Sequence, residues 1–203
     1  TEVGTIVYVA RENEFLGWVL IADSIKEGTK TALEHLHSLG VNRTVMLTGD
    51  RKEVAESVAE QVGIDLVYSQ LLPGDKVDQV QKLLSEETDG RKLAFVGDGI
   101  NDAPVIMRSD VGIAMGSMGS DAAIEAADVV LMDDDIDKIA TIIRISRKTL
   151  RIARANIVFA LTVKLLVLLL GAVGIANMWL AIFADVGVAV LAILNAMRTL
   201  RIK

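Results

Sequence analysis

Apolar and polar positions alternate along this chain in two different rhythms, and the change of rhythm divides it. Residues 4–10 and 15–21 are short apolar-rich runs flanking the polar stretch Arg11-Glu12-Asn13-Glu14, which predicts a β-hairpin. From there, short apolar runs near 44–47, 65–68, 93–96, 111–114 and 129–132 read as buried strands. Between them, segments near 51–62, 74–85, 101–107, 119–126 and 136–154 read as helices. An earlier helix is expected from about Ile25 to Leu39, capped by Asp23 and ended by Gly40. Strands alternating with helices imply a parallel sheet covered by helices on both faces. Asp133-Asp134-Asp135 reads as a solvated turn and helix N-cap.

The last quarter follows another rule. Ile157 to Ala176 is apolar apart from Thr162 and Lys164, and Met178 to Met197 is apolar apart from Asp185 and Asn195. Each run is long enough, at about 20 residues, to cross a hydrocarbon layer of about 30 Å. Arg144, Arg147, Lys148, Arg151 and Arg154 precede the first run, and Arg198, Arg201 and Lys203 follow the second. Basic flanks at both outer ends predict a transmembrane hairpin with a short outer turn near Asn177, both ends being cytoplasmic.

Composition sharpens this picture. The hydrophobic fraction is 52% and the mean hydropathy +0.44, both raised by the last quarter of the 203 residues. A net charge of −6 argues against nucleic acid as a partner. The absence of cysteine excludes disulfides and thiolate metal ligands within the chain. The chain opens on Thr1 and enters a strand pattern almost at once, as the middle of something larger would.

The candidate chemistry sits where strands end. Val45-Met46-Leu47 runs into Thr48-Gly49-Asp50, and Leu93-Ala94-Phe95-Val96 runs into Gly97-Asp98-Gly99-Ile100-Asn101-Asp102. The carboxyl edge of an open α/β sheet is where ligands bind. Two carboxylates four positions apart, with glycines that let the backbone approach, suit a hard Mg²⁺ ion beside a phosphate. Phosphoryl transfer onto a carboxylate also needs a hydroxyl or amide on the phosphoryl oxygens and a cation. Thr48 and the Gly49 amide fit the former. Lys76, in Leu72-Pro73-Gly74-Asp75-Lys76, fits the latter, and Asn101 is a further donor. Asp98 and Asp102 fit the Mg²⁺ site.

This ordered set resembles the P-type cation-transporting ATPases, which are built on the haloacid-dehalogenase fold. Gly97 to Asp102 followed by Ala103-Pro104 matches their most diagnostic signature, and Val111 to Gly116 and Ala126 to Leu131 are similar to their phosphorylation domain. Glycines 112, 116 and 119 read as backbone turns under the active site rather than a phosphate loop. Asp23-Ser24-Ile25-Lys26 resembles the hinge between nucleotide and phosphorylation domains, where family members often carry Arg in place of Lys26. The resemblance implies an α/β, Rossmann-like haloacid-dehalogenase phosphorylation domain, incomplete here, followed by a two-helix transmembrane hairpin. Its domains would be 1–22, the end of a nucleotide-binding domain; 23–155, the phosphorylation domain; and 156–203, two transmembrane helices. The family's nucleophile lies in Asp-Lys-Thr-Gly-Thr, and no such segment occurs here. The implied protein is therefore the C-terminal part of a pump, inactive alone, whose partners are the lipid bilayer and the remaining N-terminal part.

Lys164 and Asp185 refine the resemblance. Ionisable residues inside a span are costly and point to function. Counted at 1.5 Å per residue, their depths differ by roughly 7 Å, which a lysine side chain largely covers. Asp185-Val186-Gly187 with Lys164 in the preceding span resembles the zinc/cadmium/lead branch of the heavy-metal pumps. There the aspartate is a transport-site ligand and the lysine its counter-ion. ATP as substrate, Mg²⁺ as cofactor, Zn²⁺ or Cd²⁺ as cargo and a plasma-membrane location follow from that resemblance. Two other classes stay open: a membrane-tethered phosphatase of the same superfamily, for which only Asp23 offers itself as nucleophile, and a non-catalytic fragment that docks onto a pump.

Overall fold

In a computed structural model of the chain, residues 5–12, 14–21, 24–86, 90–97, 100–116, 121–133 and 135–201 are described. Asp23, Asp98, Gly119, Asp134 and Lys203, named above, lie outside the described residues. The chain forms two compact units, Thr1–Lys138 and Ile139–Lys203. That division falls inside a helix, whereas the boundary read from sequence, at 155/156, marks where the apolar run begins.

In the first unit, β1 (Thr5–Arg11) and β2 (Glu14–Ile21) form the expected antiparallel hairpin, with a register shift at Val9/Ala10. Tyr8, Phe15, Leu16 and Trp18 on it are exposed, so the hairpin has little core of its own. The helix α1 spans Thr29–Ser38, not Ile25 to Leu39. Its N-cap is Gly28 at φ 82°, a left-handed conformation from which a right-handed helix cannot extend backwards. Thr29 Oγ1 donates to the Lys26 carbonyl at 2.8 Å and closes that turn.

Then come β3 (Val45–Leu47), α2 (Lys52–Val62), β4 (Leu66–Tyr68), α3 (Pro73–Glu86) and β5 (Ala94–Gly97). A 3-10 turn at Ile100–Asp102 leads into α4 (Ala103–Ile106), and β6 (Val111–Met115), α5 (Asp121–Ala126) and β7 (Val129–Leu131) follow. The strands are parallel, as the alternation requires, but they form two ladders among the described residues: β3 with β4, and β5–β6–β7. Ile106, Ala114 and Ala123 form a buried cluster against Phe95 and Ala126 under the second ladder. Among the described residues no strand pairs with the other side of β5, and Val96, in the middle of an apolar strand, is 39% exposed. All of β3 is only half-buried.

Gly112 and Gly116 are closed by packing. A Cβ on Gly112 would lie 2.5 Å from Ile106 Cγ2, and one on Gly116 would strike the Leu131 carbonyl. Gly112 is thus a close-approach point inside β6 against α4 rather than the turn expected, because the strand runs through it, while Gly116 lies at the bend just after β6 and packs on β7.

The acidic turn caps the next helix: the Asp137 amide donates to Asp135 Oδ1 at 3.0 Å. From there α6 runs unbroken over Asp137–Ala172, which merges the expected helix at 136–154 with the first apolar run. No proline or glycine interrupts residues 137–170, so nothing stops the helix between its basic and apolar parts. Gly174 at φ 79° ends the reversal after it. Asn177 caps α7 (Met178–Ile182) by accepting from the Leu180 amide at 2.9 Å. A π turn at Phe183–Gly187, α8 (Val188–Ala196) and a 3-10 turn at Met197–Arg201 complete the second apolar helix. Asp137–Ala172 and Met178–Leu200 are both long and apolar enough to cross a membrane.

Candidate functional site

The carboxyl end of β3 is knotted to the loop after β4. The Thr48 amide donates to the Tyr68 carbonyl at 3.0 Å, Leu71 returns a bond to the Thr48 carbonyl at 3.0 Å, and the Gln70 amide donates to the Asp50 carbonyl at 2.9 Å. Inside that knot Thr48 Oγ1 donates to Asp50 Oδ2 at 2.7 Å and accepts from the Asp50 amide at 3.1 Å. Asp50 thus orients the Thr48 hydroxyl. Gly49 lies exposed between them, its Cβ position 3.4 Å from the Leu71 carbonyl.

The same loop delivers Lys76. Pro73 opens α3, where its missing N–H costs nothing. Asp75 Oδ2 accepts from the Leu72 amide at 2.9 Å, a reach back across the first turn that fixes the entry of the helix. Lys76 Nζ then donates to Asp102 Oδ1 at 2.9 Å, with side chains only 19% and 12% exposed. Asp102 sits against Gly97: a Cβ there would lie 2.8 Å from Asp102 Cβ and 3.0 Å from Phe95 Cε1. Gly97 is therefore glycine so that the 3-10 turn can fold back on the strand. Asn101 stands exposed on that turn. The structure brings Lys76 and Asp102 together, and Thr48 with Asp50; Asp98 is outside the described residues.

In the second unit Lys164 Nζ lies 3.5 Å from Asp185 Oδ1 across the helical hairpin. Asp185 occupies the middle of the π turn, where the Val188 amide donates to the Phe183 carbonyl five residues back rather than four. Such turns interrupt α-helices frequently at functional sites. Gly187 admits a close neighbour, and that neighbour is Phe183: a Cβ at Gly187 would lie 2.6 Å from its ring.

Sequence reasoning missed two features. Asp75 as the fastener of the Lys76 helix was legible in the Pro-Gly-Asp spacing. The Asn156–Asn195 contact, with Asn195 Nδ2 donating to Asn156 Oδ1 at 2.7 Å, was signalled only by Asn195 interrupting an apolar run.

Known proteins are similar to this chain in sequence and in fold. The chain matches the family described as haloacid dehalogenase-like hydrolase over residues 1–110. It is 56% identical over 200 residues to a cadmium, zinc and cobalt-transporting ATPase of Bacillus subtilis, covering 98% of this chain and 28% of that protein. It is 56% identical over 195 residues to a zinc-transporting ATPase of Synechocystis, covering 96% of this chain and 27% of that protein. Among solved structures it is similar to a zinc-transporting PIB-type ATPase in its E2.Pi state, with TM-score 0.85 and 39% identity over 98% of this chain and 32% of the other. The chain spans little more than a quarter of the length of these two curated relatives.

Proposed function

Since the chain belongs to the haloacid dehalogenase-like hydrolases, we propose that it is the C-terminal part of an ATP-driven pump exporting Zn²⁺ or Cd²⁺. The observation that carries this reading is the presence in one chain of two lysine–aspartate pairs: Lys76–Asp102 at the strand ends and Lys164–Asp185 in an apolar helical hairpin. Neither a phosphatase nor a docking fragment needs the second. The relatives named as cadmium- and zinc-transporting ATPases support it over nearly the whole chain.

Residues 1–22 would then close a nucleotide-binding domain, 23–155 form the phosphorylation domain, and 156–203 supply two membrane helices. The basic residues flanking the hairpin support a cytoplasmic phosphorylation domain and cytoplasmic chain ends, in the plasma membrane. A nucleophile-bearing strand from the rest of the pump would enter between the open sides of β3 and β5, with its aspartate beside Thr48 and Lys76. That aspartate takes the γ-phosphoryl group of ATP, ADP leaves, and water later releases phosphate. Lys76 binds the phosphoryl oxygens by charge, the Gly49 amide and Asn101 by hydrogen bonds. The Thr48 hydroxyl does so by turning from Asp50, which holds it in place until then.

Asp98 and Asp102 would hold Mg²⁺. The donor chemistry fits, because carboxylate oxygens are the hard ligands this ion takes, while the described residues hold no group of three possible metal ligands. When bound, the ion neutralises charge on the transferring phosphoryl group.

In the membrane, Asp185 binds the transported cation directly, and the Lys164 ammonium takes its place when the cation has left. A bare carboxylate in hydrocarbon is costly, so this exchange stabilises the empty site and favours release. The test is ATPase activity and metal stoichiometry of the reconstituted pump with zinc, cadmium and copper(I). Asp185→Ala should abolish zinc stimulation and high-affinity zinc binding. Unchanged zinc binding in that variant, or strong copper(I) stimulation of the unmodified pump, would overturn the zinc/cadmium reading.

A further inference from the structure

The hairpin carries a second polar contact across its helices. Asn156 lies at the start of the apolar part of α6, and Asn195 near the end of α8. Arg198 Nη1 donates to Asn195 Oδ1 at 3.1 Å. Asn195 Nδ2 donates to Asn156 Oδ1 at 2.7 Å, and Asn156 Nδ2 donates to the Ala192 carbonyl at 3.0 Å. Both asparagines are half-buried.

This relay has a direction. The guanidinium has no acceptor, so it fixes the oxygen of Asn195 toward itself and the nitrogen toward Asn156. The same logic orients Asn156, whose nitrogen is left facing a backbone carbonyl. Reversing either amide would set donor against donor. Both amide oxygens are thus occupied by N–H donors, one of them on a permanent cation. Each oxygen is therefore turned toward its neighbour in the relay.

Two of the three bonds cross between helices, and one ends on backbone. A backbone carbonyl cannot follow a sliding helix by changing rotamer. A slip of one residue, about 1.5 Å along the axis, would break both cross-helix bonds and strand two amides in apolar surroundings. Lys164 lies eight residues beyond Asn156 and Asp185 ten residues before Asn195, about 12 Å and 15 Å along their helices. The contact at Lys164 and Asp185 is therefore set by the register fixed at the asparagines.

We propose that Asn156 and Asn195, oriented by Arg198, form a positioning clamp that fixes the register of the hairpin and so the distance between the Lys164 ammonium and the Asp185 carboxylate. The clamp's consequence for transport rests on the transport-pair reading given above; the clamp itself does not.

Two measurements test it. The first uses the full chain in lipid nanodiscs. It has no native cysteine, so Leu165→Cys and Val186→Cys, both exposed neighbours of the pair, take spin labels uniquely. The unmodified register should give one narrow inter-label distance, and Asn156→Leu or Asn195→Leu should broaden or shift it. Arg198→Gln, beyond the apolar helix, should do the same to a smaller extent, and serves if the asparagine variants fail to insert. Unchanged distance distributions in all three would overturn the clamp.

The second uses the complete pump. Asn156→Leu should lower the half-saturating zinc concentration by about tenfold, an ordinary coupling strength, because a misplaced ammonium no longer competes with zinc for Asp185, with a loss of kcat from slower release and no change in zinc bound at saturation. In a Lys164→Ala background it should add nothing, because it acts through that pair. A lower zinc stoichiometry would make Asn156 a ligand and overturn the proposal, as would a full additional effect without Lys164. If the unmodified pump shows no zinc stimulation, the transport reading fails, and the distance measurement still decides the clamp.

Discussion

Lys76–Asp102 and Lys164–Asp185 are the same two side chains meeting in two different settings. The first pair meets at 2.9 Å with both groups sunk into the α/β unit, and the second at 3.5 Å with side chains 63% and 75% exposed on the helical hairpin. The α/β unit seals its pair with its own residues: Asp75 fastens the helix, and Gly97 lets the carboxylate lie against the strand. The hairpin supplies no such cover. Its apolar surface, from Leu165 and Leu169 to Val186 and Val190, is exposed along both helices, so lipid or other helices must complete the low-dielectric surroundings. In the reading proposed above each carboxylate meets a second cation, Mg²⁺ at Asp102 and the transported ion at Asp185; what separates the pairs is that the α/β unit builds its own cover while the hairpin takes it from its surroundings.

The largest break in this comparison comes from Lys76→Ala. With its ammonium gone, the phosphoryl oxygens lose a charge in a water-poor site, and turnover of the complete pump should fall by about 10²–10³-fold. Zinc binding in the membrane should persist. A fall in zinc binding with full turnover at saturating zinc would reverse the roles of the two pairs. Lys164→Ala is expected to act next most strongly and in the opposite sense. Zinc should still bind, but the empty site loses its counter-ion, so the zinc dependence of ATPase activity should weaken by about fivefold or more. Zinc dependence as sharp as that of the unmodified pump would show that Lys164 does not take the cation's place.

Most of the α/β unit was legible because period-2 and period-3.6 patterns are dictated by which face is buried. Every strand from Val45 to Leu131 lies within a residue or two of its expected place. The failures are local. The start of α1 moved because a left-handed Gly28, not a polar side chain, sets it. The π turn around Asp185 left no trace in an apolar run, since periodicity hardly registers one displaced hydrogen bond. Glycines named by motif carried less information than their neighbours did. Gly97 is the example: its motif suggests a phosphate, and its packing shows that it accommodates Asp102. Gly97→Ala should force Asp102 away from Lys76, costing about 1–3 kcal/mol as overpacking does. It should also slow turnover with little change in zinc affinity. Loss of stability without any loss of turnover would mean that the 2.9 Å contact is structural only.

A third pair calibrates the other two. Lys92 Nζ meets Asp110 Oδ1 at 2.8 Å, yet the lysine side chain is 72% exposed, and neither residue is at a strand's chemical end. The Lys92 ammonium, and after it the Leu93 amide bonded at 3.0 Å, hold the Asp110 carboxyl below its ordinary value near 3.8. A lowered folded value means that the ionised form is bound more tightly in the folded chain. The stabilisation is therefore present above pH 3.8 and is lost as pH falls through the folded value. Water and salt screen an exposed pair, so the gain is small. Asp110→Asn at neutral pH should lower the thermal midpoint by about 2 °C or less, on the scale of a chain of this size. The difference from the unmodified chain should shrink with added salt and close below pH 3.8. Turnover and zinc affinity should not change, since this pair has neither a sealed site nor a competing cation. A catalytic loss in Asp110→Asn as large as that in Lys76→Ala would mean that burial and position do not distinguish working pairs from surface ones.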